Sequence, residues 1–492
     1  MTFDLAVVRG QLAASEDAER LAPVGLRAVI DGDGALGGLA DAVAAYPAAR
    51  DGVVVLADAT PMTIGGDDLG AAVRDALSSR FRVGWVTVGD PARAGAARPG
   101  LVGLPGRPAA ASVHADEATV AAATAALAGA GCVVTLGSGT VTDIGKAATP
   151  AGTPLVAVQT AASVNGYADP LSVLLRQGVK RTTRTRWPDT LLIDPAVLAA
   201  APSALNRAGI GDMMAMFTAP ADWFLAGILW PGARAAGGEP AYSAVVAGLT
   251  RPHGGRLLEL GAGLTADHGR LAELARLLTL SGIAMGAAGV TAPASGMEHA
   301  VSHLLEMRDT ARGEPGGFHG TQVGAATVVA AAAWDLVRRR VDDGALWRTP
   351  RLPDPDTARK AIASTFKALD PSGAMAAECF DGYAVKLRAL AAGDPLAGLR
   401  DSFDRQAGVL DGLLASPGEI AAGLVAAGLP ATLDGLGVDA ATARWAIAAS
   451  PLQRHRVSVA DLALLTGGWG EAEAEEMLAV ATAVAAEAAG RT

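Results

Sequence analysis

The chain has 492 residues, 51% of them apolar but only 4% aromatic, so it holds ample core for two or three domains and favours close-packed α/β or α layers over a β sandwich. The formal net charge is −10, and no cluster of Lys and Arg with interleaved aromatics occurs. Nucleic acid is thereby excluded as a natural partner, and small molecules become the default ligands.

In chain order, the opening MTFDLAVVRGQL lacks a basic region followed by a long apolar core, so no signal peptide is expected. Up to about Pro188, short β-branched runs alternate with amphipathic segments, the pattern of a parallel sheet covered by helices. The spacing predicts strands at Val53–Ala57, Val83–Val88, Cys132–Leu136 and Leu155–Val158, and helices at Leu69–Ser78 and Glu117–Ala128, the latter with Asp116 at its cap or in its first turn. Beyond Pro195 helical periodicity takes over, at Leu198–Met214, Arg270–Ala287, Met297–Glu306, Thr321–Arg339 and Glu471–Ala488. We therefore expect a Rossmann-like α/β nucleotide-binding domain over residues 1–190 and an all-α domain over 191–492, with the boundary near Trp187–Asp194. The two cysteines, Cys132 and Cys379, read as reduced core residues, and the apolar run Val323–Trp334 is too short and Ala-rich for a bilayer span. A soluble cytoplasmic protein without a membrane partner is expected.

Two stretches carry chemistry. After the strand at Cys132–Leu136, Gly137-Ser138-Gly139-Thr140-Val141-Thr142-Asp143 leads into a helix, where backbone amides and the helix N-terminus suit a phosphate. It is neither GxGxxG nor a P-loop, and a tight strand-to-helix turn with Asp143 in a local hydrogen bond explains it equally well. Asp58 sits where a carboxylate would meet an adenosine ribose or would simply serve a turn. The second stretch is PASGMEHAVSHLLEMRDTARGEPGGFHG at Pro293–Gly320, read with GIGD at Gly209–Asp212. The chain has only seven histidines, and His299 and His303 stand four residues apart on one helix face with His319 opening the next helix. Asp212, His299 and His319 together read as an Asp/His/His site for a borderline divalent cation, Zn²⁺ first and Ni²⁺ or Fe²⁺ as alternatives, with a coordination position open for a substrate oxygen. His303 reads as a proton relay or substrate contact. Ala300 stands where a zincin HExxH has Glu, so peptidase chemistry is not indicated.

These motifs carry a family likeness. VVVLADATP at Val53–Pro61, HADEATV at His114–Val120, GSGTVTDIGK at Gly137–Lys146, TAASVNGYADPLSV at Thr160–Val173, AGIGD at Ala208–Asp212, SGMEHAVSH at Ser295–His303, HGTQVG at His319–Gly324 and HRVSVADL at His455–Leu462 follow one another as in the sn-glycerol-1-phosphate dehydrogenases. The chain resembles that family, within the superfamily of glycerol dehydrogenase, iron-containing alcohol dehydrogenases and dehydroquinate synthase. The resemblance implies a dehydroquinate synthase-like fold: an NAD- or NADP-binding domain, a helical metal-binding domain, and an active site in the cleft between them. It makes Asp212, His299 and His319 the metal ligands and Gly137, Ser138, Gly139 and Asp143 the cofactor loop. Thr160, Ser163, Leu171 and Val173 would line the nicotinamide end, Asp58 the adenosine ribose, and His303 the substrate. A homodimer is expected by analogy.

Three positions depart from the pattern. Asn165 replaces an Asp of the segment Ser-x-Asp-Gly and would still accept a hydrogen bond from a substrate hydroxyl, without the negative charge. Met216 stands where iron-dependent alcohol dehydrogenases have a further His. Gly227–Pro240 interrupts what resembles a continuous helical region in relatives.

The implied reaction is hydride transfer between NAD(P)H and dihydroxyacetone phosphate, giving sn-glycerol-1-phosphate. Lys180 and Arg184, from the basic cluster Lys180, Arg181, Arg184 and Arg186, would hold the phosphate or form a solvated face. The alternatives are a dehydrogenase of an unphosphorylated polyol, a dehydroquinate synthase-like sugar-phosphate cyclase, and a binding protein of the same fold without turnover.

Overall fold

A computed structural model describes residues 3–89, 113–176, 179–231, 240–314, 316–401 and 403–491. Residues 232–239, the middle of the Gly227–Pro240 interruption, lie outside the described residues. The chain divides into two compact units, one formed by Met1–Gly209 with Gly263–Gly289, the other by Ile210–Ala262 with Val290–Thr492.

The first unit is built on a six-stranded sheet, parallel throughout, in the order Ala28–Asp31, Thr190–Ile193, Leu155–Gln159, Cys132–Gly137, Val53–Asp58, Val83–Val88. Strands are apolar at successive residues because both faces are covered. Val53, Val55 and Ala57 pack with Leu69, Val73 and Leu77 on one face. Leu56 and Val133 pack with Ala123, Val141 and Ile144 on the other. The helices Leu69–Ser78 and Glu117–Ala126 start where Asp68 and Asp116 accept the backbone N–H groups of Ala71 and Thr119, at 2.6 and 2.7 Å. All four strands and both helices predicted for this half are present.

The reading missed the strands at Ala28–Asp31 and Thr190–Ile193 and an antiparallel hairpin of Leu171–Arg176 with Val179–Arg184. The first two are four residues each, the shortest run from which a strand can be read. One late element completes this unit: the helix His268–Ala288, apolar and long enough to cross a membrane by length and composition, is buried here in protein. Its glycines let neighbours come close. A Cβ on Gly282 would stand 2.5 Å from the Asn165 carbonyl oxygen, and one on Gly286 would stand 2.1 Å from the Trp187 ring.

Among its described residues the second unit holds helices and no strand. Its central helix, His319–Asp342, packs against Met297–Arg312, Pro417–Ala426, Val459–Thr466 and Glu471–Ala489. The apolar run Val323–Trp334 is the buried middle of that helix, which accounts for its lack of charged residues. Deeper still lies Lys386, its ammonium 2.7 Å from the Asp461 carboxylate and 2.7 Å from the Pro451 carbonyl oxygen, a charge buried with its partner as burial demands.

A candidate metal centre and a candidate nucleotide loop

In the helical unit, glycine brings the helices carrying Asp212 and His319 together. A Cβ on Gly211 would lie 2.1 Å from the Gly320 carbonyl oxygen, and one on Gly324 would lie 2.9 Å from the Gly211 Cα, so the two backbones touch at these residues. Their neighbours Asp212 and His319 are thereby brought face to face. Asp212 Oδ1 stands 3.5 Å from His299 Nε2 and 3.8 Å from His319 Nε2. One ligand atom from each of these three residues lies within 4.8 Å of the others. The Asp212 carboxylate and the His299 ring are buried, whereas the His319 side chain keeps 25% of its surface exposed. His303 joins the group as the i+4 spacing predicts, its ring stacked on His319 with centroids 5.5 Å apart. Met216 is buried in the turn that follows Asp212.

Acidic residues that the sequence reading did not assign stand behind these imidazoles. Glu298, fully buried, meets His299 Nδ1 at 3.1 Å, accepts the Thr218 hydroxyl at 2.9 Å and accepts the Gly296 N–H. Burial pushes the Glu298 carboxyl up, but the bond and charge of His299 and the Gly296 amide outweigh it and hold the group below its usual range. Burial likewise pulls the His299 imidazole down, and its bonds to Asp212 and Glu298 carry it above its usual value. A Cβ on Gly296 would stand 2.6 Å from Asp222 Oδ2, so glycine is required beside these carboxylates. Asp222 in turn accepts from the backbone N–H of Met297 at 2.8 Å and of Val459 at 2.9 Å. Arg456 donates to the Ser295 carbonyl and, at 2.8 Å, to the Thr291 hydroxyl. The late HRVSVADL segment thus fixes the turn that delivers His299.

In the sheet unit, chain order along the sheet reverses between the strands Val53–Asp58 and Cys132–Gly137, and ligands of open α/β sheets bind at the carboxyl ends of strands at such a point. Asp58 ends one of these strands and Gly137-Ser138-Gly139 follows the other. Asp58, Thr60, Arg74 and Trp85 help to line a cavity of about 450 Å³ there. Burial pushes the Asp58 carboxyl up against the hydrogen bonds from Thr60. The glycines are needed for close packing as well: a Cβ on Gly137 would meet Val141, and one on Gly139 would meet Val164, each at 2.6 Å. Thr160 and Ser163 are buried beside this loop, and the Thr160 N–H reaches the Gly137 carbonyl oxygen at 3.4 Å.

Asp143 is engaged otherwise. It lies 3.1 Å from the fully buried Lys146 ammonium, which also meets Asp169 at 3.1 Å and the carbonyl oxygens of Gly166 and Leu171, and its second oxygen accepts the Val173 N–H at 3.1 Å. The local-bond reading of Asp143 is therefore realised, and the network ties the Leu171 and Val173 backbone to the loop helix. The Asn165 amide donates to the Ser281 hydroxyl at 3.1 Å. Of the basic cluster, Arg186 is spent on the Pro150 and Thr153 carbonyl oxygens and on Asp189 at 2.9 Å. Lys180 and Arg184 lie on the second hairpin strand, opposite Leu175 and Leu171.

Residues 105–202 match the family model of iron-containing alcohol dehydrogenases. The chain is 34% identical over 199 residues to glycerol-1-phosphate dehydrogenase [NAD(P)+] of Bacillus velezensis, an alignment covering 40% of this chain and 48% of that protein. It is 30% identical over 256 residues to the protein of the same name from Bacillus subtilis, covering 50% and 59%. The chain thus spans about half the length of the curated relatives it matches. The crystal structure of iron-containing alcohol dehydrogenase from Corynebacterium glutamicum superposes with a TM-score of 0.51 at 16% identity, covering 93% of this chain and 96% of that one. As its motifs predict, the chain is similar over part of its length to the glycerol-1-phosphate dehydrogenases, and it has the parallel sheet and large helical part of the iron-containing alcohol dehydrogenase fold.

Proposed function

We propose that the chain is a metal-dependent, NAD(P)-linked dehydrogenase that interconverts dihydroxyacetone phosphate and sn-glycerol-1-phosphate. The observation that carries this reading is the approach of Asp212, His299 and His319, three residues distant in sequence, until one ligand atom from each lies within 4.8 Å of the others. One carboxylate and two imidazoles are a donor set for Zn²⁺, Ni²⁺ or Fe²⁺, and three protein ligands leave room for a substrate oxygen. A cation held there supplies Lewis acidity towards a ketone oxygen. His303, stacked on His319, would exchange the proton that accompanies reduction. In the sheet unit, Gly137, Ser138 and Gly139 would cradle the pyrophosphate of NAD or NADP, Asp58 would accept from the ribose hydroxyls, and Thr160 and Ser163 would line the nicotinamide end. Asp143, Leu171 and Val173 would support that loop through the Lys146 network. Asn165 would contact a substrate hydroxyl, and Lys180 and Arg184 would attract its phosphate. The same reading has the protein acting in the cytoplasm, as a homodimer, on small molecules.

The names of the curated relatives favour the phosphorylated substrate. The commitment of Arg186 to the protein's own carbonyls favours the second reading, an unphosphorylated polyol. The test is a nicotinamide absorbance assay on metal-stripped protein with and without added Zn²⁺, comparing dihydroxyacetone phosphate with dihydroxyacetone. Zn²⁺-dependent oxidation of NADH or NADPH by the phosphate ester is expected. Equal rates on both ketones would move the assignment to the polyol, and no turnover of either would remove the dehydrogenase.

A further inference from the structure

We infer that Glu298 and Glu306 are positioning residues that hold the Nδ1–H groups of His299 and His319, so that each imidazole presents its Nε2 lone pair towards Asp212. The inference rests on the cation-site reading above. A neutral imidazole carries one proton, and whatever accepts at one ring nitrogen decides which nitrogen is left as a donor to a metal.

For His299 the acceptor is Glu298, 3.1 Å from Nδ1. The other recorded partners of that carboxylate, the Thr218 hydroxyl and the Gly296 amide, both donate to it. It therefore meets the ring as an acceptor, and the proton sits on Nδ1. For His319 the argument takes one more step. Its Nδ1 stands 3.2 Å from Glu306 Oε1 and 3.2 Å from the Ser302 hydroxyl oxygen. The single Ser302 proton is directed to Gln322 Oε1 at 3.0 Å, so Ser302 also meets the ring as an acceptor. Two acceptors converge on one nitrogen, which must carry the hydrogen.

Both rings are thus left with Nε2 as the lone pair, and these are the atoms 3.5 and 3.8 Å from Asp212 Oδ1. An imidazole Nε2 and a carboxylate oxygen turned on one another need a positive charge between them, and where the ring is neutral that charge is a metal cation. A carboxylate behind each ligating imidazole also raises its basicity and fixes its plane. The two supports differ in setting: the Glu298 side chain is fully buried, and that of Glu306 retains 11% of its surface. Glu306 is the safer position to alter.

The experiment is a chelator-competition titration of Zn²⁺ on the full chain, with Glu306→Gln and Glu298→Gln, alongside the melting temperature of each metal-free protein. The Gln side chain keeps size and removes charge. Expected is a 10- to 100-fold rise in the Zn²⁺ Kd of Glu306→Gln, roughly the range for lost partners of ligating histidines, while the metal-free Tm moves by less than about 2 °C. The Co²⁺-substituted variant should show displaced visible bands, which a merely structural role would not produce. Glu298→Gln is read in the same way if its metal-free Tm is retained, and Glu306→Gln decides alone if it is not. A Zn²⁺ Kd and Co²⁺ spectrum like those of the parent protein would overturn the inference. Weakened Zn²⁺ binding without any ketone turnover by the parent protein would leave the inference standing and sink the dehydrogenase.

Discussion

Two carboxylates, one in each unit, are answered differently. In the sheet unit Asp143 meets an ammonium from its own helix, Lys146, which is itself closed off by Asp169 and two carbonyl oxygens. In the helical unit Asp212 faces imidazole nitrogens from two other helices at 3.5 and 3.8 Å. A carboxylate matched to a cation of the chain serves the fold. A carboxylate turned to imidazole nitrogens is built for a cation from outside. The same residue type is structural in one place and chemical in the other, and the partner decides which.

The strongest way to break this comparison is to change Asp212 itself. Asp212→Ala should abolish stoichiometric Zn²⁺ retention, measured by elemental analysis after gel filtration, and lower kcat/KM by several kcal/mol, roughly a thousandfold. Retained metal would show that Asp212 is no ligand. The counterpart in the sheet unit is Lys146→Met, which leaves Asp143 and Asp169 buried without their cation. A loss of about 3–5 kcal/mol in urea unfolding is expected, with Zn²⁺ affinity of the folded protein unchanged. Next in size, Gly211→Ala drives a methyl group into the Gly320 carbonyl, so the two helices must separate. That overpacking should cost about 1–3 kcal/mol and weaken Zn²⁺ binding as well, joining stability and site in one variant where Lys146→Met keeps them apart.

Smaller effects sharpen the picture. Arg184→Ala should raise KM for dihydroxyacetone phosphate about tenfold and leave dihydroxyacetone within about twofold, if the guanidinium meets the phosphate. Equal changes would return Arg184 to a solvated face. The mildest test is titration. Burial pushes the Asp169 carboxyl up to about 6 against the pull of Lys146, from 3.8 for the unperturbed group. The folded chain then binds more protons than the unfolded chain across that window, so this group's contribution to stability falls as pH rises from about 4 to about 6. Asp169→Asn should flatten that slope in a series of urea midpoints, and an unaltered slope would show that Asp169 titrates normally.

Much of this was legible in the residues. The sheet strands at Val53–Asp58, Val83–Val88, Cys132–Gly137 and Leu155–Gln159 announce themselves as apolar runs, and the helices at Met297–Arg312 and His319–Asp342 by their period. GIGD and HGTQVG offered Asp212 and His319 as ligands, but the contact of the two backbones at Gly211 and Gly320 appears only in the fold. What stayed hidden depends on long-range partners. Glu306 looks like one more helix acid until His319 is folded against it, and Asp222 until Met297 and Val459 arrive from far along the chain. Arg186 counted as a free charge in the sequence because its acceptors, the Pro150 and Thr153 carbonyls, carry no signal of their own.

The helix His268–Ala288 belongs to the sheet unit but is encoded after Ile210–Ala262 of the other unit. A ribosome therefore delivers the start of the second body before the first has received its last helix, and Trp187 and Ala168 must wait for Gly286 and Gly282 to cover them. Maturation of the sheet unit cannot finish as an independent, amino-terminal event during synthesis, and truncation after residue 209 should leave a sticky, incompletely folded fragment.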